Sequence, residues 1–262
     1  MANMTSSVSA SQVAGELASA TFEEIPALVE HYREDPRQQV IKACERALKR
    51  HSKEVAERER VNGMYELMHE LGGDGVVVGV DEVGRGSVAG PLTVCAVCLP
   101  MEPRVWGIND SKKLTPARRE LLSVKIAEVA TAIGFCHIAP KDIDEMGMAR
   151  AIRVAVAGAV ADTGLEPDCV LMDGNPLGAV PNERDVVKGD AKIACIAAAS
   201  IMAKATRDEM MVEYDAEYPE YHLAESKGYA SPEHIEAIRK HGLCPLHRVS
   251  FCGNFLQTER LF

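Results

Sequence analysis

Two adjacent acids interrupt an otherwise apolar segment near residue 80. The run "VVVGV" leads directly into Asp81 and Glu82, and "GRG" follows after Val83. Burying a carboxylate is unfavourable unless a partner stabilises it. The pair therefore indicates one of three arrangements: a metal ion, a cap or a surface turn.

Two further apolar runs also end in acids. "CVLM" leads into Asp173, and "DVVKG" leads into Asp190 just before a helix-like segment. Active sites collect at the carboxyl ends of strands in open α/β sheets, and clustered carboxylates repel one another unless cations lie between them. Oxygen ligands of this kind suit Mg²⁺ or Mn²⁺ better than zinc. The pattern predicts a divalent metal site.

Each acid also has a purely structural interpretation. Asp81 and Glu82 could begin a surface turn, and Asp173 with the following glycine is a common turn pair. Asp190 could be the N-cap of a helix beginning at residue 191. The coincidence of three apolar runs that all end in acids favours the metal site over three separate explanations.

The glycines after the first acids resemble a dinucleotide-binding fingerprint. Gly84, Gly86 and Gly90 have the spacing G-x-G-x-x-x-G, but such a turn must lead into a helix. Pro91 and the strand-like "LTVCAVC" follow instead, which argues against NAD binding. A Gly-Arg-Gly loop can instead bring backbone N–H groups and the Arg85 guanidinium close to a sugar-phosphate backbone.

Composition limits the classes of protein to consider. The chain has 262 residues, is 47% hydrophobic and carries a net charge of −10, which argues against a general electrostatic grip on nucleic acid. A local basic groove remains compatible with that charge. We find no membrane-spanning apolar window and no signal peptide. The eight cysteines are thinly spread, which favours free thiols in a reducing cytoplasm. Cys95 and Cys98 form a C-x-x-C within a strand-like run, which is typical of core thiols.

The element pattern changes near residue 72. Residues 1–12 are polar and predicted to be disordered, and helical spacing follows over 13–70, interrupted near Pro36. The segment "LGGDG" suggests a boundary between a helical extension, 1–72, and a second domain, 73–262.

The second domain reads as β-β-α-β-α-β-β-α-α. We expect one helix with Thr115 as its N-cap, one ending at Gly164, a long one from 191 and one ending at Gly242. The order predicts an α/β fold: a mixed five-stranded sheet flanked by helices.

Several longer motifs resemble those of bacterial ribonuclease HII, in the same order. They cover roughly residues 75–252: "GVDEVGRGSVAGPL", "NDSKKLTP", "MDGNP", "KGDAKIACIAAASIMAKATRD", "KGYASPEH" and "LHRVSF". The resemblance implies an RNase H-like fold that cleaves RNA within RNA–DNA hybrids. It also implies incision of duplex DNA on the 5′ side of a single embedded ribonucleotide.

The resemblance assigns roles by position. Asp81, Glu82, Asp173 and Asp190 match the family's catalytic, metal-binding acids. Gly84, Arg85 and Gly86 match the loop that senses the ribose 2′-OH, and Tyr229 matches the tyrosine that stacks on a neighbouring sugar. Lys112, Ser200 and Lys204 lie in motifs expected near substrate phosphates. From the residues alone, Tyr229 fits a half-buried core aromatic better, and Lys204 fits a solvated helix face equally well.

The implied chemistry is two-metal phosphodiester hydrolysis with Mn²⁺ or Mg²⁺, acting in ribonucleotide excision and primer removal by a cytoplasmic monomer. The related ribonuclease HIII family usually lacks the arginine between the glycines, so Arg85 favours HII. Basic residues within 47–63 could add a duplex-binding surface or form a solvated helix face. A non-catalytic hybrid-binding module and a metal-dependent nuclease of other substrate range remain open alternatives.

Overall fold

The computed structural model describes residues 8–256 in two compact units, divided between Asn62 and Gly63. The first unit is helical, as predicted. Its helices are α1 (Ala10–Ser19), α2 (Ile25–His31) and α3 (Gln38–Gly72), of which α3 continues into the second unit.

The prediction of a disordered start is wrong from Ser9 onward. Ser9 and Gln12 form a reciprocal capping box, in which each side chain accepts the backbone N–H of the other residue. The apolar face of α1 then buries Val13 and Leu17 against Ile25 of α2. Residues 1–7, also predicted to be disordered, lie outside the described residues.

A five-stranded mixed sheet forms the centre of the second unit. Its strands are β1 (Val77–Val83), β2 (Leu92–Cys98), β3 (Ala132–Ile138), β4 (Cys169–Asp173) and β5 (Glu183–Val186). They lie in the order β3-β2-β1-β4-β5. β2 runs antiparallel to both β1 and β3, whereas β1, β4 and β5 are mutually parallel. The predicted fold class is confirmed.

Helices are the other main elements of this unit. They are α4 (Pro116–Val129), α5 (Pro140–Met146), α6 (Met148–Asp162), α7 (Ala194–Glu217), α8 (Leu223–Ser226), α9 (Pro232–His241) and α10 (Val249–Leu256). The Thr115 cap and the Gly242 stop are confirmed. The single helix expected to end at Gly164 is instead two helices, because Gly147 adopts φ 77° and breaks it.

The two faces of the sheet pack against different helices. Val78 and Val80 of β1 join the buried face of α6 in one apolar cluster. Side chains alternate along a strand, so Val77, Gly79 and Asp81 point to the opposite face. There, a Cβ on Gly79 would collide with the backbone of Cys195, which shows how closely α7 approaches β1. This contact places α7 beside Asp81.

The two cysteines of the C-x-x-C are core residues. Cys95 and Cys98 are buried in β2, and both are free thiols, which confirms the interpretation from sequence. Within residues 8–256, no helix is long and apolar enough to cross a membrane.

Candidate active site

Parallel pairing brings the first three acids to one edge of the sheet. β1 and β4 run side by side in register, with Val80 opposite Met172, so Asp81 and Asp173 follow at neighbouring positions. The acids do not end β1, contrary to expectation. Its ladder with β2 continues through Glu82 to Val83. The turn explanation for Asp81 and Glu82 therefore fails, because both residues are in the strand.

Asp190 reaches the same region by another route. β5 ends at Val186, and Asp190 lies beyond it in a 3-10 turn, Gly189–Ala191, so the expected strand-end position is wrong. The helix-cap explanation also fails, because α7 begins at Ala194 with Ile193 as its cap residue. The turn is fixed by Asp173, whose Oδ1 accepts the Gly189 N–H at 2.7 Å.

The four carboxylates influence one another electrostatically. Burial, reinforced by the charges of Glu82 and Asp173, raises the pKa of Asp81 to about 8. Burial also raises the pKa of Glu82, although Arg85 opposes this shift. Burial and Asp173 raise the pKa of Asp190, which Lys112 partly offsets. The sheet edge therefore holds acids that are poorly accommodated as anions by the protein alone.

A cleft of about 460 Å³ opens over this edge. It contains every sequence-predicted site residue except Asp173 and Asp190. The lining residues are Asp81, Glu82, Val83, Gly84, Arg85, Gly86, Ser111, Lys112, Ser200, Lys204 and Tyr229. Asp173 raises the pKa of both Asp81 and Asp190, but neither Asp173 nor Asp190 lines the cleft.

The basic and aromatic residues occupy distinct positions in the cleft. The Nη1 atom of Arg85 lies 3.6 Å from Glu82 Oε1. Lys204 is not a solvated helix residue: its Nζ contacts Asp208 Oδ1 at 2.6 Å, and its side chain is 19% exposed. Tyr229 is 40% exposed and lines the cleft, so it is half-buried as the alternative interpretation expected, but within residues 8–256 it belongs to none of the apolar core clusters.

Two buried serines lie beside Asp81, one of them on α7. The hydroxyls of Ser111 and Ser200 lie 2.9 Å apart and are buried. Ser200 also hydrogen-bonds Asp81, which favours the ionised carboxylate. Sequence reasoning selected Ser200 and missed Ser111, although both lie in quoted motifs.

Two buried arginines, both missed from sequence, hold the loop 84–91. Arg207 donates to the carbonyls of Pro91 at 2.8 Å and Ala89 at 3.0 Å, and to Ser87 Oγ at 2.9 Å. The Nη1 atom of Arg207 donates to Lys227 O at 2.7 Å. The guanidinium lies 5.7 Å from the centre of the Tyr229 ring. The loop and the turn carrying Tyr229 therefore share one cation.

Arg248 holds the same loop through other carbonyls. It donates to Gly90 O at 2.9 Å and to the backbone carbonyl of Arg85 at 3.2 Å. Its only sequence signal is a cation among the apolar residues of "LHRVSF". Arg207 had a clearer one: on α7 it lies seven residues after Ser200 and three after Lys204, on the face that turns towards the site.

The donor chemistry of the acid cluster fits a hard divalent cation. Within residues 8–256, no three His, Cys, Asp or Glu side chains already converge as a complete ligand set. Mg²⁺ needs only one or two carboxylates, because it keeps several waters. Burial, reinforced by the charge of Asp173, raises the pKa values of Asp81, Glu82 and Asp190, and a bound cation would favour their ionised forms.

Comparison with known families gives matches over nearly the whole chain. A model described as Ribonuclease HII matches residues 78–254, and one described as Ribonuclease HII N-terminal domain matches residues 9–71. Ribonuclease HII of Ruminiclostridium cellulolyticum is 42% identical over 221 residues, covering 83% of this chain and 87% of that protein. The Moorella thermoacetica protein of the same name is 46% identical over 200 residues, covering 75% and 97%.

Solved structures show the same fold. Ribonuclease H2 from Pyrococcus horikoshii aligns with a TM-score of 0.59 at 27% identity, covering 70% of this chain and 99% of that one. Bst-RNase HIII, solved in complex with Mn²⁺, aligns with a TM-score of 0.57 at 19% identity, covering 70% and 68%. The latter likeness concerns the fold alone.

Proposed function

Because this chain belongs to the ribonuclease HII family, we propose that it hydrolyses RNA in RNA–DNA hybrids and also nicks duplex DNA 5′ of a single embedded ribonucleotide. Its class as a ribonuclease H enzyme follows from the family. The finer proposal depends on one observation: Asp81, Glu82, the Gly-Arg-Gly loop and Tyr229 line a single cleft.

The acid cluster is the proposed catalytic centre. Asp81, Glu82, Asp173 and Asp190 would hold two divalent ions, Mg²⁺ or Mn²⁺. When bound, these ions would lower the pKa of an attacking water and stabilise charge on the departing 3′-oxygen. Attack by water gives 5′-phosphate and 3′-hydroxyl ends, so the 2′-OH serves recognition and is not the nucleophile.

The positive side chains of the cleft suit a phosphate backbone. Arg85 and Lys112 are exposed at the cleft, while Lys204 is held by Asp208 on the α7 wall. Each carries a cation that can donate hydrogen bonds to phosphate oxygens. These contacts position a strand without reading base identity.

The Gly-Arg-Gly loop would supply the ribose recognition. Gly84 is required by the fold, because its φ is 84° and a Cβ would collide with Arg207. Gly86 has no such constraint: its φ is ordinary, and a Cβ there would meet no atom within 4 Å. The space in front of Gly86 supports a close approach of the sugar to the backbone, with the Tyr229 ring exposed on the same cleft for stacking.

The direct test is incision of a labelled DNA duplex carrying one ribonucleotide, with Mn²⁺, Mg²⁺ or EDTA. We expect a metal-dependent nick immediately 5′ of the ribonucleotide, leaving a 3′-hydroxyl. An all-DNA duplex of the same sequence is the control and should remain intact. Cleavage of long hybrids without this nick would restrict the activity to hybrids, and binding without any cleavage would support a non-catalytic module.

A further inference from the structure

Two buried histidines form a hydrogen-bonded pair next to the backbone of Tyr229. His234, on α9, is 0% exposed, and His247, just before α10, is 3% exposed. Their Nε2 atoms are 3.1 Å apart, and His234 Nδ1 lies 2.9 Å from the carbonyl oxygen of Tyr229. Neither side chain lines the cleft.

The hydrogen-bond partners fix the proton positions on both rings. The backbone N–H of Cys244 donates to His247 Nδ1 at 3.0 Å, so that nitrogen carries no proton. The His247 proton is then on Nε2 and donates to His234 Nε2. His234 in turn carries its proton on Nδ1 and donates to the Tyr229 carbonyl, which can only accept.

The result is a directional chain of two neutral imidazoles. A proton added to His234 Nε2 would face the N–H of His247 Nε2. A proton added to His247 Nδ1 would face the Cys244 N–H. Burial lowers the pKa of both histidines, that of His247 to about 4, so the neutral chain persists at ordinary pH.

The chain links the two elements proposed to contact the sugars. The backbone of His247 pairs with Ala89, and the next residue, Arg248, donates its N–H to Val88 O at 2.8 Å. The loop 84–91 is therefore attached to one end of the imidazole chain. Tyr229 is attached to the other end through His234.

We propose that His234 and His247 are positioning residues that hold Tyr229 at a fixed distance from the Gly-Arg-Gly loop through this chain of hydrogen bonds. The inference rests on the proposed contact of Tyr229 with the substrate sugar. Neither histidine touches substrate in this scheme. They act through the Tyr229 carbonyl, and their loss should change recognition of the ribonucleotide junction more than the turnover step.

The test compares two replacements of His234. Asparagine can place an amide N–H near the position of Nδ1, whereas leucine cannot donate. We expect His234→Leu to raise KM for the single-ribonucleotide duplex about tenfold with kcat nearly unchanged, and His234→Asn to restore most of the loss. In a Tyr229→Ala background, His234→Leu should add less than about twofold, because the two residues act as a unit. An equal effect in both backgrounds would overturn the proposal.

A second measurement is independent of activity. Imidazole ¹⁵N spectra of the unmodified protein should show His247 protonated at Nε2 and His234 at Nδ1, and the Tyr229 amide signal should shift or broaden in His234→Leu but not in His234→Asn. The opposite tautomers, or a Tyr229 signal unchanged in His234→Leu, would overturn the proposal. Absence of nicking by the unmodified protein would instead count against the proposed function, and these spectra would still decide the positioning role.

Discussion

The two sides of the cleft satisfy their charged groups in opposite ways. On the acid side, carboxylates are crowded together, and burial together with nearby carboxylates raises the pKa values of Asp81, Glu82 and Asp190. On the loop side, most of the hydrogen bonds that buried Arg207 and Arg248 donate go to backbone carbonyls. Arg85 and Lys112 offset only part of the charge on the acid side, whereas hydrogen bonds within the protein hold the two arginines of the loop side. The acid side is where we propose that ions bind, and the loop side is fixed by the protein's own hydrogen bonds.

Replacing Asp81 would break the acid side with the largest effect. We expect Asp81→Asn to lower kcat/KM for a hybrid by about a thousandfold or more, because it removes a charge needed to hold the ions. Fold stability should be unchanged or increased in EDTA, since the replacement relieves carboxylate repulsion. Initial rates with Mn²⁺, thermal melting and duplex binding check this. Full cleavage by a clean preparation would contradict the metal-ligand role.

Replacing Arg207 tests the loop side, where we expect a loss of folding stability. Arg207→Met removes donors from three carbonyls and a serine hydroxyl, and leaving buried acceptors unsatisfied costs about 1–3 kcal/mol each. We expect the free energy of unfolding to fall by at least about 3 kcal/mol. Urea denaturation measures it, with exposed Arg239→Met as the matched control. A loss below about 1 kcal/mol would show that the stability of the loop 84–91 does not depend on Arg207.

Replacing Arg85 sharpens the comparison, because its side chain belongs to the acid side and its backbone to the loop side. Arg85→Ala keeps the carbonyl that Arg248 binds and removes only the guanidinium near Glu82. We expect stability within about 0.5 kcal/mol of the original and a roughly tenfold loss of preference for the ribonucleotide junction. Arg85→Lys should recover part of the preference, since it restores charge without the planar donor fork. Cleavage-position mapping on matched duplexes decides it, and unchanged preference would exclude a sensing role.

Sequence reasoning was most successful where the signal was local. Alternation, turn residues and caps gave the five strands, the Thr115 cap and the Gly242 stop. It failed where one residue overrides a periodic pattern, as when Gly147 divides an apparently continuous helix. A helical pattern does not reveal whether a glycine within it turns to positive φ.

At the candidate site, too, local signals succeeded and contacts between distant residues were missed. Residue type and position relative to the apolar runs selected the four acids, but could not distinguish a strand-end position from the 3-10 turn that carries Asp190. Arg207, Arg248 and the histidine pair were missed because their partners are backbone carbonyls and each other. Such contacts leave no complementary residue in the sequence to search for.

The parallel pairing of β1 with β4 also has a consequence for folding kinetics. Val77 pairs with Cys169, so bringing the strands together closes a loop of roughly ninety residues. The β1–β2 hairpin, in contrast, can form locally, and sheets that depend on distant pairings fold slowly. We therefore expect Asp81 and Asp173 to meet late in folding, when repulsion between their carboxylates would oppose the step that joins them. Divalent ions present during refolding should consequently accelerate a late step, after most of the hairpin and helical structure has formed.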